Sequence, residues 1–290
     1  MQIRPMRPSD VDAAEQLSAD AMLELGERTR LAAGPPATRR ADWWQGQWRR
    51  RALHLVEHDG PGCWVAEDDE GLLGLAVSMR RDTMWGLASF FVRPGAQSRG
   101  VGKALLDGAL THSIGCTRGM LCATTDPRAL RRYHRAGFRL YPTMCAEGPI
   151  DRSLLPVVEH VREGSQSDLD LMESVDRQTR AATHGPDHAF MGAAQPLLVS
   201  DSHLGSGYAY LTPSGAYLLA ATSERTATAL LWESIARTEG DTFAVRQVTG
   251  EQDWLVDVAM AARLTLRQEG YLALQGMRPP TTYVPSPHFM

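Results

Sequence analysis

Residues Phe90 to Leu106 read FFVRPGAQSRGVGKALL. A run of apolar β-formers stops at Arg93-Pro94, a polar segment with glycines at 95, 100 and 102 follows, and Lys103-Ala104-Leu105-Leu106 resumes with helical character. Strand, glycine loop and helix start are thus packed into seventeen residues.

The spacing Gln97-x-x-Gly100-x-Gly102 precedes a helix whose apolar face falls on Val101, Leu105, Leu106, Ala109 and Leu110. The first N–H groups of a helix have no partner inside it, and missing Cβ atoms let an anionic group come close to them. The loop is therefore expected to cradle a pyrophosphate through Gln97, Ser98, Arg99, Gly100, Val101, Gly102 and Lys103, with Arg99 and Lys103 adding positive charge. Two glycines that only turn the chain are the plainer reading, and context must decide.

Outward from the loop, the first half reads strand (2–7), helix (10–25), an irregular or helical segment (28–58) and strands near 62–67 and 71–80. After the loop helix come a strand near 119–124, a helix over 127–136 and a strand from 138. Asp-Glu-Gly within AEDDEGLLG makes a turn and predicts a hairpin. This order predicts an α/β chain with a mixed, mainly antiparallel sheet flanked by helices.

Two signatures recur in the same order. SDVDAAEQLSADAM from Ser9 and SDLDLMESVDRQT from Ser167 each place a serine where it can cap a helix, and each follows a strand-like segment, at 2–7 and 157–162. RRYHRAGFRLYPTM and LTLRQEGYLALQGM each look like a helix broken by Gly-aromatic, at Gly137-Phe138 and Gly270-Tyr271. The expectation is a duplicated domain: residues 1–147, a Gly/Pro-punctuated linker near 148–156, and a shorter copy over 157–290.

VRPGAQSRGVGKALLDGAL and, farther on, DPRALRRYHRAGF resemble the acetyl-CoA-binding and following motifs of the GCN5-related N-acetyltransferase (GNAT) superfamily. The second motif matches an A-x-x-x-Y-x-x-x-G-F frame at Ala129, Tyr133, Gly137 and Phe138. The resemblance implies two GNAT-like domains in tandem, the second degenerate, and transfer of an acetyl group from acetyl-CoA to an amine by direct attack. It further implies an oxyanion donor from the backbone N–H of Phe91 or Val92, on a strand ending in a bulge, and Tyr133 as general acid for the leaving thiolate. Asp126 stands at a coenzyme-contacting position, and capping of the Pro127 helix is its alternative role. The competing function is a silent acyl-CoA-binding sensor or scaffold.

The general base departs from the pattern. MWGLASFFV offers only Ser89 as a polar side chain, and Glu57, His58 and Glu67 are candidates by rough location alone. The acceptor should be read by residues 26–60, where Trp43, Trp44 and Trp48 adjoin Arg49-Arg50-Arg51; tryptophans at such spacing also suit a core face. A small-molecule or protein amine is the expected partner, and a homodimer is the self-association left open.

The second copy lacks the cradle: after GAYLLAA the chain reads TSERTATALL, without glycine and with Glu224 where an anion would be repelled. His184 and His188 have an i,i+4 spacing, but Gly185-Pro186 is expected to break the helix that would join them, so no metal site is expected. The closing PPTTYVPSPHFM should pack as an irregular strand. A hydrophobic share of 43% and a net charge of −4 describe a globular protein without a global field for nucleic acid. No leader-like apolar run or membrane-length span is visible, so the expectation is a cytoplasmic protein without a membrane partner. Its four cysteines lack C-x-x-C spacing and are expected to be reduced thiols.

Overall fold

A computed structural model describes residues 1–29, 37–39 and 42–290. In chain order the main elements are β1 (Gln2–Pro5), α1 (Val11–Thr29), α2 (Asp42–Asp59), β2 (Cys63–Asp68), β3 (Gly71–Arg81), β4 (Met84–Val92), α3 (Val101–Leu110), β5 (Arg118–Ala123), α4 (Pro127–Arg135) and β6 (Arg139–Pro149). They continue as β7 (Val161–Glu163), α5 (Leu169–Thr179), α6 (Pro186–Gly192), β8 (Leu197–Ser202), β9 (Gly205–Thr212), β10 (Gly215–Ala221), α7 (Glu224–Arg237), β11 (Thr242–Val248), α8 (Asp253–Ala261), β12 (Thr265–Gln275) and β13 (Tyr283–Val284). The mixed α/β class expected from the sequence is the class found. Two compact units are distinguished: Met1–Gly119 with Thr125–Arg132, and Met120–Thr124 with Tyr133–Met290.

In the first unit β1-β2-β3-β4 form an antiparallel run, in register at Arg4↔Val65, Val65↔Leu75 and Leu75↔Phe91. Of the α3 face expected from spacing, Val101, Leu105, Leu106 and Ala109 have at most 2% exposure, while Leu110 is only half-buried. Burying each of Leu105 and Leu106 stabilises by roughly 1.5–3 kcal/mol against an exposed position. The strand before the loop carries its irregularity earlier than the resemblance implies. Val77 pairs with Ser89 and Ser78 with Leu87, so Ala88 is the extra residue of a bulge inside β4, not at its end.

In the second unit the strand order is β5-β12-β6-β11-β10-β9-β8-β7, with β13 on β10. The last strand of the chain's first stretch, β6, lies between β12 and β11, and β12 lies between β5 and β6. Each of these two long strands is therefore covered on both edges by strands distant in sequence. The core under this sheet gathers Leu219, Leu230, Leu231, Phe243, Val245, Leu255 and Val284.

The recurring N-terminal signature is real in geometry, though the serines are not what fixes it. Asp10 reaches back to accept from the Arg7 N–H at 2.7 Å and holds Arg4, while Asp168 accepts from the Ser165 N–H at 2.8 Å and holds Arg162. Ser9 and Ser167 sit inside the short 3-10 turns that these aspartates close.

The closing signature was misaligned by sequence. Gly137, with φ +94, ends α4, and Phe138 N–H donates to the Tyr133 carbonyl at 3.1 Å. The same C-terminal motif after α8 uses Arg263, with φ +58, and Leu264 N–H donating to Ala259 at 2.8 Å. Gly270 lies within β12 beside a register shift, where a Cβ would collide with the Ala123 carbonyl of β5. Its role is close backbone approach, and LTLRQEGY is strand, not helix.

Candidate functional site

The loop after β4 closes with Gly100 as N-cap of α3, in the left-handed region at φ +86. Lys103 and Ala104 N–H groups both turn to the Gly100 carbonyl. Among the described residues, no hydrogen bond is made by the backbone N–H groups of Ser98, Arg99, Gly100, Val101 or Gly102. A Cβ on Gly100 would meet open space, so the glycine is there for conformation and access. Ser98 also has positive φ, +66, which turns the loop outward at a cost a glycine would not incur. Gly102 is different: a Cβ there would press on Val92 and Phe90 and approach the Arg132 guanidinium at 3.6 Å.

The side chains around this amide concavity divide into free and committed groups. Arg99 is exposed beside it. Lys103 is paired one turn on with Asp107 at 2.5 Å, both well exposed, an interaction that water and salt screen. Gln97 braces the loop: its Nε2 donates to the Val92 carbonyl at 3.4 Å and its Oε1 accepts from Arg128.

Asp126 takes the capping role: Oδ1 accepts from the Arg128 N–H at 2.9 Å, with Pro127 at the first helical position. Its carboxylate is also clasped by Arg28 at 2.9 Å and Arg128 at 3.1 Å. Burial pushes the Asp126 carboxyl up, but the Arg128 hydrogen bonds outweigh it and hold the group below the ordinary aspartate range. Arg28, Arg128 and Arg132 were missed by sequence reasoning. Arg128 is two residues from a recognised cap, whereas Arg28 lies 98 positions from Asp126 and leaves no local signal.

Arg93 N–H donates to the Leu73 carbonyl at 2.8 Å. Hydrogen bonding alternates along an antiparallel ladder, so Phe91 N–H also faces β3 and Val92 N–H faces the opposite edge of β4. Tyr133, on α4, is 6% exposed and belongs to the second unit.

The candidate bases are not gathered at the loop. Glu67 is tied to Arg4 at 2.7 Å, Glu57 and His58 are exposed on α2, and Ser89 lies buried on β4. In the acceptor segment Trp48 is core, while Trp43 and Trp44 are stacked on each other at 4.4 Å and exposed. Arg49 pairs with Asp12 and Glu15, and Arg51 is buried. Residues 30–36 and 40–41 of that segment lie outside the described residues.

In the second unit the helix start that follows β10 is closed. Ser223 Oγ accepts from the Thr226 N–H and caps α7, leaving Glu224 and Arg225 exposed. The expectation for His184 and His188 is corrected. Gly185-Pro186 does not keep them apart, because Asp187 and His188 N–H groups bond back to His184 and Gly185 and start α6 there. Asp176, His184 and His188 are all buried, with one ligand-type atom from each within 4.8 Å of the others.

Residues 21–138 match the model of the acetyltransferase (GNAT) family. A putative acetyltransferase from Pyrococcus horikoshii superposes with TM-score 0.74 at 15% identity, covering 99% of this chain and 94% of its own. A GCN5-related N-acetyltransferase from Sphaerobacter thermophilus gives 0.58 at 14% identity, covering 96% of each chain. One from Kribbella flavida gives 0.59 at 17% identity over 94% of this chain and 70% of its own. At these identities the structures speak for the fold alone, and the search of curated proteins found no match. No described helix is long and apolar enough to cross a membrane. Residues 21–138 are thus similar to the acetyltransferase (GNAT) family, whose members are acyltransferases, and the fold is one shared with solved GCN5-related N-acetyltransferases.

Proposed function

We propose that the chain is an N-acetyltransferase that moves the acetyl group of acetyl-CoA directly onto an amine. The observation that carries this is the row of N–H groups from Ser98 to Gly102 at the start of α3, without a partner among the described residues and opened by the left-handed, Cβ-free Gly100. Diphosphate oxygens fit such a row, and Arg99, Arg128 and Arg132 supply charge for the remaining phosphate oxygens. Gln97 and Asp126 act one step back, by holding Val92 and the α4 start in place.

In the proposed reaction the amine nitrogen attacks the thioester carbonyl carbon and the oxyanion is met by the Val92 N–H, which points away from the β3 ladder. The C–S bond then breaks. Tyr133 gives its phenolic proton to the leaving thiolate, and the nitrogen's surplus proton passes to water. The base candidates named from sequence are committed or exposed elsewhere, so the acceptor amine must arrive deprotonated or lose its proton through solvent.

The paired aspartate turns at Asp10 and Asp168 and the matching ends of α4 and α8 support descent of both halves from one duplicated unit. In that reading the second copy has Ala259 at the position of Tyr133 and a capped helix at the position of the cradle, so it is structural.

The silent-binder alternative draws on one feature, the absence of a carboxylate on β4. A screen of amine acceptors with acetyl-CoA, following released thiol, separates the two. Turnover with any acceptor class supports the enzyme, and saturable coenzyme binding without turnover on small amines or peptide amino groups supports the sensor.

A further inference from the structure

β10 and β11 run parallel for only two pairs, Gly215↔Ala244 and Ala216↔Val245. Past that point β11 shifts register and Gln247 takes φ +61, so the strand turns away and the edge of β10 from Leu219 onward opens. The opening is filled by the chain itself. Val284 pairs with Leu219 and Tyr283 with Ala220, and the Ala221 N–H donates to the Thr282 carbonyl at 3.0 Å. An edge strand presents unpaired N–H and C=O groups, and an added strand satisfies them.

Backbone pairing of two residues is nonspecific, yet Tyr283 is held at three further points. Its carbonyl accepts from Gln252 Nε2 at 2.7 Å, Arg180 lies over its ring at 5.9 Å, and its hydroxyl lies 3.1 Å from His184 Nε2. The polar floor beyond is the Asp176–His184–His188 cluster. Asp176 Oδ2 accepts from His184 Nδ1 at 2.7 Å, from the His184 N–H at 3.1 Å and from His188 Nε2 at 3.0 Å, while Oδ1 accepts from the Tyr208 hydroxyl. Tyr210 lies 3.3 Å from His188 Nδ1.

The proton positions follow from one donor. Arg180 touches His184 Nε2 and can only donate, so Nε2 is an acceptor and the ring's proton sits on Nδ1, facing Asp176. A metal ion at Nδ1 would require the ring to lose that proton while Nε2 still accepts from arginine, and it would add charge beside a buried guanidinium. Protons, not a metal, therefore fill the cluster.

We propose that the wedge between β10 and β11 is a strand-binding site for an extended Tyr-Val segment, occupied in cis by Tyr283–Val284, with the Asp176–His184–His188 cluster as its pocket for the tyrosine hydroxyl. The site accepts a peptide, not a coenzyme: the helix start next to β10 is capped by Ser223 and presents no row of free amides. This assignment stands whether or not the first unit binds acetyl-CoA.

The test uses the full-length chain. Tyr283→Ala should loosen the cis strand and let a labelled synthetic peptide of residues 279–290 bind in trans, measured by fluorescence anisotropy, while the unaltered chain excludes it. The same peptide with phenylalanine for its tyrosine should bind about 10-fold more weakly, the worth of one buried hydrogen bond. A folded Tyr283→Ala chain that binds neither peptide overturns the proposal, as does equal affinity for the two. Should that variant not fold, Tyr283→Phe must raise hydrogen exchange at the Ala221 amide about 10-fold without changing α1 and α2; unchanged exchange is contradictory. Stoichiometric zinc uptake by the unaltered chain, lost in His188→Gln, would equally overturn the proton-filled pocket.

Discussion

The Arg28 guanidinium, in the last turn of α1, lies 2.9 Å from the carboxylate of Asp126, the residue that caps α4. The pair fixes the start of α4 from outside its own helix, and Arg128 clasps the same carboxylate from within. Both arginines are partly exposed, so the ion pair itself is worth at most about 1 kcal/mol. Arg28→Ala should lower stability by less than that, read as a small shift in denaturation midpoint. Its larger effect should be several-fold weaker acetyl-CoA binding, because Arg128 and Gln97 lose a fixed neighbour at the loop. A loss of several kcal/mol in stability would mean that Arg28 is a core element instead.

Tyr133→Phe keeps the ring that packs α4 and removes the proton proposed for the thiolate. Turnover should fall by a factor on the order of 10² to 10⁴ with coenzyme affinity nearly unchanged. Thiol release at the original rate would remove Tyr133 from the mechanism.

Ser98 holds a left-handed backbone that a side chain disfavours. Ser98→Gly should relieve about 1 kcal/mol of that cost and leave coenzyme binding intact, since the loop offers its amide there. A weaker titration with acetyl-CoA would show instead that the serine hydroxyl contacts the ligand.

The second unit should be sensitive to acid well before ordinary carboxylates titrate. Full burial, with Arg180 nearby, pushes His184 down to about 4, against 6.5 for a free imidazole, although Asp176 pulls the other way. Asp176 itself is held far below the aspartate range: burial raises it, but His184 and His188 more than compensate. Facing groups on neighbouring elements are Tyr208, Tyr210 and Tyr283, all pushed up by burial and so neutral. The unfolded chain binds a proton at His184 below about pH 6.5 that the folded chain refuses until about 4, so this stability is present above 6.5 and lost as pH falls through that window. Urea midpoints for the second unit's transition should drop between pH 7.5 and 5, and His184→Gln should flatten that dependence. A flat profile in the unaltered chain would contradict a neutral buried His184.

What was legible in the sequence was local. The glycine loop could be read because glycines at 100 and 102 are demanded by backbone conformation and close approach, and most of the α3 face because 3.6-residue spacing survives in the fold. Asp126 as cap followed from Asp-Pro at a helix start. The misreadings arose where distant chain decides. Gly270 looked like a helix end because nothing in LTLRQEGY announces that β5 will approach it. His184 and His188 looked separated because Gly185-Pro186 does interrupt a helix, yet Asp176, Tyr208 and Tyr283 supply the partners that draw both rings together. Arg28 was silent for the same reason.

The claim on which the rest turns is that α3's open amide row is the chain's one acetyl-CoA site. Calorimetric titration of the full-length chain should give a stoichiometry near one, and Gly100→Glu, which sets a carboxylate in the row, should abolish the heat while circular dichroism shows both units folded. Two equivalent sites per chain, or binding that survives Gly100→Glu, would contradict it.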